Sequence, residues 1–340
     1  MLPLLYRTPS KVIGLVVGFL LFLISFASSI VFGVTEIGLA EVVQSFVAYD
    51  VTSNEHVIIQ TTRLPRALIA TFVGANLAVA GALMQALTRN PLASPSVFGV
   101  NAGAVFFIVL ALRFLPVDSL AVLVWIAFLG AAVAALTVYL LGSIGRDGLT
   151  PVKIVLAGAA ISALFTSFTQ GLLVLDETGL QDVLFWLAGS IAGRDAAVLY
   201  PVLPYMMVAA VTALLLSSHV NILSSGEDIA KGLGQKTAVV KLACAATIVV
   251  LAGSSVAVAG AIGFVGLVIP HVARFLVGAD YRWVVPFSAV LGAILLLNAD
   301  IAARFLIRPS ELPIGVVTGL IGAPFFIYLA RKSFRGKGGS

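Results

Sequence analysis

The sequence predicts an all-α, polytopic membrane protein whose helices form a bundle. Hydrophobic residues make up 60% of the 340 residues and charged residues only 10%, whereas a soluble domain has about 45–50% and about 25%. That much apolar surface requires lipid, where only helices and closed barrels satisfy their own backbone hydrogen bonds. The stretch 12–34 is apolar throughout and lacks the two-residue alternation of a barrel strand. Helices are therefore predicted.

Apolar segments suited to crossing a bilayer recur along the whole chain. The ten segments are 12–34, 64–88, 97–115, 119–142, 151–174, 196–217, 238–260, 262–279, 283–305 and 313–331. The first is longer than the 7–15 apolar residues of a signal-peptide core and is predicted to be retained. The eighth contains Pro270, His271 and Arg274, and the stretch 260–266 at its start is glycine-rich, so a broken or tightly packed helix is expected. No linker interrupts the chain, and a single transmembrane domain over 1–340 is predicted.

Orientation follows from lysine and arginine, which are enriched in cytoplasmic loops. With ten spans, both termini lie on one side. If that side is the cytoplasm, 14 of the 20 basic residues and only 4 of the 15 acidic residues are inside. Both termini are therefore predicted to be cytoplasmic.

The residues that most enzymes need are scarce. His56, His219 and His271 fall in three regions, and no HExxH spacing occurs. The segment Gly232-Leu-Gly-Gln-Lys-Thr237 lacks the first glycine of a phosphate loop and follows no strand. The single cysteine excludes a cysteine-rich metal site. We expect no catalytic residue, metal site, cofactor or nucleic-acid partner in this chain, and no ATP hydrolysis.

An ion-coupled carrier would place ionisable residues inside its spans, where they are costly and usually functional. The predicted spans hold almost none. Asp300 stands four residues before Arg304 near the end of the ninth segment, a spacing that favours a local ion pair. That pair and a substrate role remain equal alternatives, and a secondary transporter is the weaker interpretation.

Four arginines on the predicted outer side oppose the usual loop bias. Arg63 and Arg66 flank Leu64-Pro65, and Arg304 and Arg308 precede the tenth segment. One interpretation is anchoring to lipid headgroups. The other is an exposed arginine cluster that receives carboxylates of a docked protein, because a guanidinium pairs with carboxylates in two-pronged geometry.

The predicted cytoplasmic loop 218–237 contains a candidate short helix. Ser225 is suited to cap it, Asp228 stands at its third position, and Gly232 or Gly234 would end it. Such a helix suits insertion into the groove of a partner; an ordinary solvated connection is the alternative.

Small residues are frequent in several segments, for example at Gly74, Gly81, Gly260 and Gly266. They permit close approach between helices and predict a tightly packed bundle.

Several long motifs, in order, resemble the permease subunit of ABC importers for iron–siderophores, haem and cobalamin, the FecCD type. These motifs are Arg63-Leu-Pro-Arg66, Gly81-Ala-Leu-Met-Gln-Ala-Leu-Thr-Arg-Asn-Pro-Leu-Ala-Ser-Pro95, Gly99-Val-Asn-Ala-Gly103, Gly260-Ala-Ile-Gly-Phe-Val-Gly-Leu-Val-Ile-Pro-His271, Asp300-Ile-Ala-Ala-Arg304 and Glu311-Leu-Pro-Ile-Gly-Val-Val317. The resemblance covers essentially the whole chain after the first segment.

The resemblance implies a type II importer permease with ten helices in a bacterial inner or plasma membrane. It implies a second permease subunit, identical or paralogous, two cytoplasmic ATPase subunits that use ATP and Mg²⁺, and an extracytoplasmic binding protein. Iron(III)–siderophore is the expected cargo, with cobalamin or haem as alternatives.

The resemblance also suggests roles for two sets of residues. Arg63, Arg66 and Arg304 match basic residues that receive glutamates of the binding protein. The segment Glu227–Gly234 matches the helix that couples to the ATPase. The coupling residues expected in it are Glu227, Asp228, Ile229, Ala230, Leu233 and Gly234.

Overall fold

A computed structural model describes residues 3–117, 119–144, 150–175, 186–307 and 310–335. All regular structure in these ranges is helical. The α-helices are α1 (Thr8–Val31), α2 (Leu39–Val47), α3 (Asn54–Ile58), α4 (Leu64–Thr88), α5 (Val100–Phe114), α6 (Leu120–Ser143), α7 (Pro151–Leu175), α8 (Ala196–Leu199), α9 (Leu203–Ser224), α10 (Glu227–Gly232), α11 (Thr237–Ala259), α12 (Val265–Val277), α13 (Tyr281–Leu306) and α14 (Ile314–Arg335).

Seven helices in the described ranges are long and apolar enough to cross a membrane, so the chain is a multi-pass membrane protein. They include the continuous helix Asn54–Thr88, in which a π-helical turn, Ile59–Arg63, joins α3 to α4. Three more predicted segments form shorter apolar helices: α5, α12 and the part of α14 up to Ile327. The helical class is confirmed, whereas the number of about ten spans stays a prediction.

Two predicted segments have different bounds in the structure. The segment predicted at 196–217 is divided: the Asp195 side chain caps α8, and α9 starts separately at Leu203, with Pro204 in its first turn. α9 then continues to Ser224, so 218–224 are helical and the predicted loop 218–237 was too long. The second predicted segment starts too late, because helix extends upstream through polar Gln60 and Thr61, which lower the local hydropathy.

The chain enters α12 through a non-helical stretch, as the glycine-rich sequence 260–266 predicted. Gly260 and Phe264 both have positive φ, +74° and +66°. The backbone N–H of Ala261 donates to the carbonyl of Trp186 at 2.9 Å. α12 is accordingly short and begins only at Val265.

Helix α4 is the centre of the bundle, and glycines let its neighbours approach it. A Cβ on Gly74 would lie 2.3 Å from the carbonyl oxygen of Gly292 in α13, and one on Gly81 would lie 1.9 Å from that of Gly266 in α12. Neither contact leaves room for a methyl group. The predicted close packing is confirmed at these crossings.

Candidate functional site

The predicted functional residues lie at two opposite ends of the bundle. At one end, Arg63 and Arg304 donate to carbonyls of residues 29–32, where α1 ends. At the other, Lys11 near the start of α1 lies over the ring of Trp283 in α13. About 19 residues of α1 separate these ends, roughly 28 Å at 1.5 Å per residue, close to the thickness of a hydrocarbon core.

The short helix α10 belongs to the Lys11 end. Asn221, near the end of α9, donates from Nδ2 to Asp280 at 2.6 Å and accepts from the backbone N–H of Tyr281 at 2.8 Å. Asp280 caps the start of α13, beside Trp283. The arginines and α10 therefore lie at opposite ends of the bundle.

Asp300 is the centre of the arginine end. Arg66 donates to its Oδ1 from Nε at 2.8 Å, and the Nη2 of Arg66 lies 2.7 Å from the same oxygen. Arg304 donates to its Oδ2 from Nε at 3.1 Å and also from Nη2. The Asp300 side chain is fully buried. A carboxylate buried this deeply needs paired charge and hydrogen bonds, and two guanidinium groups supply both.

The remaining donors of the arginines hold other elements of the bundle. Arg63 Nη1 donates to the carbonyls of Ile30 and Val31 at 2.8 and 2.6 Å, and Nη2 donates to that of Thr35. These bonds satisfy carbonyls at the end of α1, which lack partners within their own helix. Arg304 adds bonds from Nη1 to the carbonyls of Ser29 and Phe32, both at 2.8 Å.

The expectation that these arginines form an exposed cluster is wrong for this structure. Arg63, Arg66 and Arg304 are only 4%, 6% and 3% exposed. Their positions are internal because each reaches an acceptor that the bundle itself supplies. The local Asp300–Arg304 ion pair is confirmed, and contact with a binding protein stays a prediction. Arg308 lies outside the described residues.

Glu311 is the most accessible member of this group. Its Oε2 accepts from Arg66 Nη1 at 2.7 Å, and its side chain is 27% exposed. The sequence did not reveal this role, although Glu311 opens one of the recognised motifs. A contact across 245 positions leaves no signal in local spacing.

At the opposite end, α10 is fastened to α11 by Glu227. Its Oε2 lies 2.7 Å from Lys241 Nζ, and its Oε1 lies 3.3 Å from Lys231 Nζ. The hydrogen bond from Lys241 holds the pKa of Glu227 below its ordinary value of 4.5. The carboxylate is therefore ionised at neutral pH, and the contact is lost only as the pH falls through the lowered pKa.

The two ends of α10 differ from each other in how well they match the prediction. Ser225 does not cap the helix: Gly226 holds the cap position without a side-chain bond, and Ser225 Oγ donates back to the carbonyl of Asn221. Gly234, with φ +79°, does terminate it. Its N–H donates to Lys231 and that of Gln235 to Ala230, both at 2.9 Å, which is a Schellman motif.

The outward side of α10 is apolar. Ile229 and Leu233 are 55% and 69% exposed and stand one turn apart, whereas Ala230 is fully buried against the bundle. Asp228 is exposed beside them. Two large apolar side chains on a short, rigidly terminated helix form a compact surface suited to a groove in a partner.

A cavity of about 330 Å³ lies between α5 and α7. Its polar lining is uncharged and includes Asn101 of α5 and Ser162, Thr166, Thr169 and Gln170 of α7. These α7 residues follow one helix face, at spacings of three, four and eight. The surface can make many weak hydrogen bonds to a polar solute but holds no fixed charge.

Comparison with known proteins gives consistent matches over nearly the whole chain. The FecCD transport family model matches residues 20–332. The chain is 56% identical over 326 residues to the probable siderophore transport system permease protein YfiZ of Bacillus subtilis, covering 96% of this chain and 98% of that protein. It is 42% identical over 317 residues to the ferric enterobactin transport system permease protein FepD of Escherichia coli, covering 93% and 94%.

A solved structure of similar architecture is an inward-facing conformation of a metal-chelate type ABC transporter. It matches with a TM-score of 0.81 and 32% sequence identity, covering 94% of this chain and 98% of that one. The match extends the agreement from sequence to the arrangement of the helices.

Proposed function

The chain belongs to the FecCD transport family, and from this premise we propose that it is the permease subunit of an ABC importer for iron(III)–siderophore complexes. The observation that carries the cargo class is the 56% identity to a siderophore transport permease over almost the full length of both proteins. Cobalamin or haem remains the alternative cargo, since motifs shared across the family do not distinguish them.

The proposed assembly is a type II importer in the bacterial plasma or inner membrane. Two permease subunits, identical or paralogous, form the path, each a single transmembrane domain of ten spans with cytoplasmic termini. Two cytoplasmic ATPase subunits supply ATP and Mg²⁺ chemistry, and an extracytoplasmic binding protein delivers the chelate. The length of α1 between the arginine end and the Lys11 end, roughly 28 Å, supports this division of labour, because α10 belongs to the Lys11 end.

We propose that α10 couples to the ATPase through Ile229 and Leu233, with Asp228 at the rim. Glu227 and its bond to Lys241 pass a movement of α10 to α11. Ala230 and Gly234 act by packing and by terminating the helix. A displacement of α10 by ATP-driven closure therefore reaches a spanning helix directly.

We propose that Arg66 receives a carboxylate of the binding protein by exchange. Arg63, Arg66 and Arg304 are all engaged internally, so a docking glutamate displaces an existing partner. Glu311 is the partner it replaces, because Glu311 is partly exposed, whereas Asp300 is fully buried. Arg63 and Arg304 support the same surface by holding the end of α1.

The proposed path for the chelate includes the cavity between α5 and α7. A cargo that must leave again is served by weak, distributed contacts better than by a charged site. The hydroxyl and amide groups of Ser162, Thr166 and Gln170 supply such contacts.

Uptake of radioactive iron tests the proposal. Cells that lack this chain are supplied with ferric hydroxamate, ferric catecholate or ferric citrate, and in parallel with labelled haem or cobalamin. We expect that returning this chain to the cells restores uptake of at least one ferric chelate. That uptake should be lost when the partner ATPase is inactivated and kept when the proton gradient is collapsed. Uptake that survives without ATPase activity, or that needs only the gradient, would instead support a secondary transporter.

A further inference from the structure

An apolar groove opens on the outside of the bundle at the Lys11 end. It has a volume of about 460 Å³ and lies between α1, α9 and α13. Its walls include Leu15 and Phe19 of α1, Leu214 of α9, and Pro286 and Ala289 of α13. Phe19 and Leu214 are 51% and 47% exposed. In a membrane, this groove opens to the acyl chains of one leaflet.

Two cations stand directly beyond the groove, on the same helix faces. Leu15 and Phe19 follow Lys11 at four and eight residues, and Pro286 and Val290 follow Arg282 at the same spacings. Residues four apart lie above one another on a helix. Along the helix axis, the groove therefore begins about 6 Å from the Cα atom of each cationic residue and extends to about 12 Å.

Positive charge accumulates at this position among the described residues. In the ranges that the structure describes, no ion pair joins Lys11 or Arg282 to a carboxylate. Arg7, one turn before Lys11, is also exposed. The neighbouring acid, Asp280, uses its Oδ1 for Asn221 and for the backbone N–H of Arg282. Three cations and one engaged carboxylate leave a local excess of positive charge.

Trp283 fixes the depth of this region. Trp283 is partly exposed, and the Lys11 ammonium lies over its ring, 5.9 Å from the ring centre. Tryptophan is enriched where the headgroups meet the hydrocarbon. The cations thus lie at headgroup level, and the groove lies at the level of the first half of an acyl chain.

We propose that this groove binds an anionic phospholipid, with its phosphate on Lys11 and Arg282 and one acyl chain along Leu15, Phe19 and Ala289. Basic pockets between membrane helices on the cytoplasmic side suit such headgroups. The occupant is a lipid and not a free anion, because the apolar groove continues directly from the cations. The site holds α1, which is mostly exposed, against α9 and α13.

Native mass spectrometry of the purified importer tests the assignment. The probes are phosphatidylglycerol and phosphatidylcholine with identical acyl chains. We expect preferential retention of phosphatidylglycerol. Lys11→Ala should weaken it about fivefold and Lys11→Ala with Arg282→Ala about thirtyfold, since each surface cation adds about the same increment. Lys236→Ala, an exposed cation at the same end on another element, is the matched control.

A second variant separates chain binding from charge alone. Ala289→Leu fills the groove while the cations stay, and it should release phosphatidylglycerol, whereas inorganic phosphate should not compete. Equal retention of both lipids, or retention by the double variant, would overturn the proposal. Labelling of Val16→Cys by a reagent dissolved in the bilayer is a further test in the assembled importer. Failure of the label to react would also overturn the proposal, because a protein would then cover the groove.

Discussion

Arg66 and Asp300 are 234 positions apart in the sequence but form an ion pair inside the bundle. Both Nε and Nη2 of Arg66 contact the same carboxylate oxygen of Asp300, Oδ1. The other oxygen of Asp300 serves Arg304. Arg66 and Arg304 therefore have a structural role inside the bundle. Any role in docking uses a cluster that already holds α1, α4 and α13 together.

Replacing Asp300 by Asn should destabilise the protein strongly. Arg66 and Arg304 would be left buried with no full counter-charge between them, and removing one partner of a buried ion pair costs about 3–5 kcal/mol. We expect a large fall in the melting temperature of the purified chain. Glu36→Gln, an exposed acid of the same end, is the control and should melt as the wild type. An unchanged melting temperature for Asp300→Asn would contradict the structural role of the cluster.

Because the arginines stabilise the bundle, an uptake assay of Arg63→Glu with Arg66→Glu cannot separate docking from stability. A glutamate at Arg63 would face the carbonyls of Ile30 and Val31, so lost uptake would combine lost docking with lost stability. Glu311→Gln separates the two. It weakens only the partly exposed partner of Arg66, by about 0.5–1 kcal/mol, and should tighten the binding protein about two- to fivefold.

Surface plasmon resonance with the importer in nanodiscs measures that affinity. The melting temperature, recorded alongside, should fall slightly in Glu311→Gln. A lower affinity of Glu311→Gln for the binding protein would contradict carboxylate exchange. It would indicate instead that Glu311 itself belongs to the docking surface.

Ile229→Ser with Leu233→Ser should detach the ATPase from a folded permease. Both side chains are exposed, so the permease loses little, whereas each apolar side chain buried against a partner is worth about 1.5–3 kcal/mol. We expect more than tenfold weaker assembly, measured by co-purification. Leu4→Ser, which removes an exposed leucine at the same end, is the control. Normal assembly of the double variant would place the contact elsewhere.

Gly234→Pro should uncouple transport from ATP hydrolysis. Proline cannot adopt the φ of +79° and has no N–H to give to the carbonyl of Lys231. The end of α10 should loosen, while the spanning helices stay intact. The measurement is ATPase activity with and without loaded binding protein. Gly232→Ala, within α10 and with no atom near its added methyl, should keep the stimulation. Full stimulation in Gly234→Pro would refute coupling through a rigid α10.

Thr166→Phe should narrow the proposed path. The side chain lines the cavity between α5 and α7, so a ring there should lower uptake of bulky chelates severalfold without changing basal ATPase activity. Leu164→Phe, on an exposed position of the same helix, serves as the comparison. Equal uptake by both variants would exclude the cavity from the path.

Much of this architecture follows from composition and short motifs. The length of the apolar segments predicts helices such as α6 and α13, and the glycines at 74 and 81 predict close contacts between crossing helices. The broken entry to α12 follows from Gly260 and its neighbours. The end of α10 at Gly234 is equally local, because only a left-handed residue completes a Schellman motif.

What escaped the sequence depends on contacts between distant positions. Arg63 looked exposed because its acceptors are backbone carbonyls of α1, which carry no sequence signature. Glu311 and Lys241 meet Arg66 and Glu227 only after folding. The bounds of α4 were predicted, but its helical extension upstream, Asn54–Arg63, was missed because polar residues before Arg63 lower the local hydropathy.

The arginine clamp on α1 has a consequence for biogenesis. Helix α1 is synthesised long before Arg304, which completes the bonds to its end, and Arg66 is synthesised 234 residues before Asp300. A chain halted before Asp300 would leave the Arg66 guanidinium in the bilayer without this buried counter-ion. Quality-control proteases would then act on an unfinished insertion product in which Arg63 holds the end of α1 and the bonds from Arg304 are still missing.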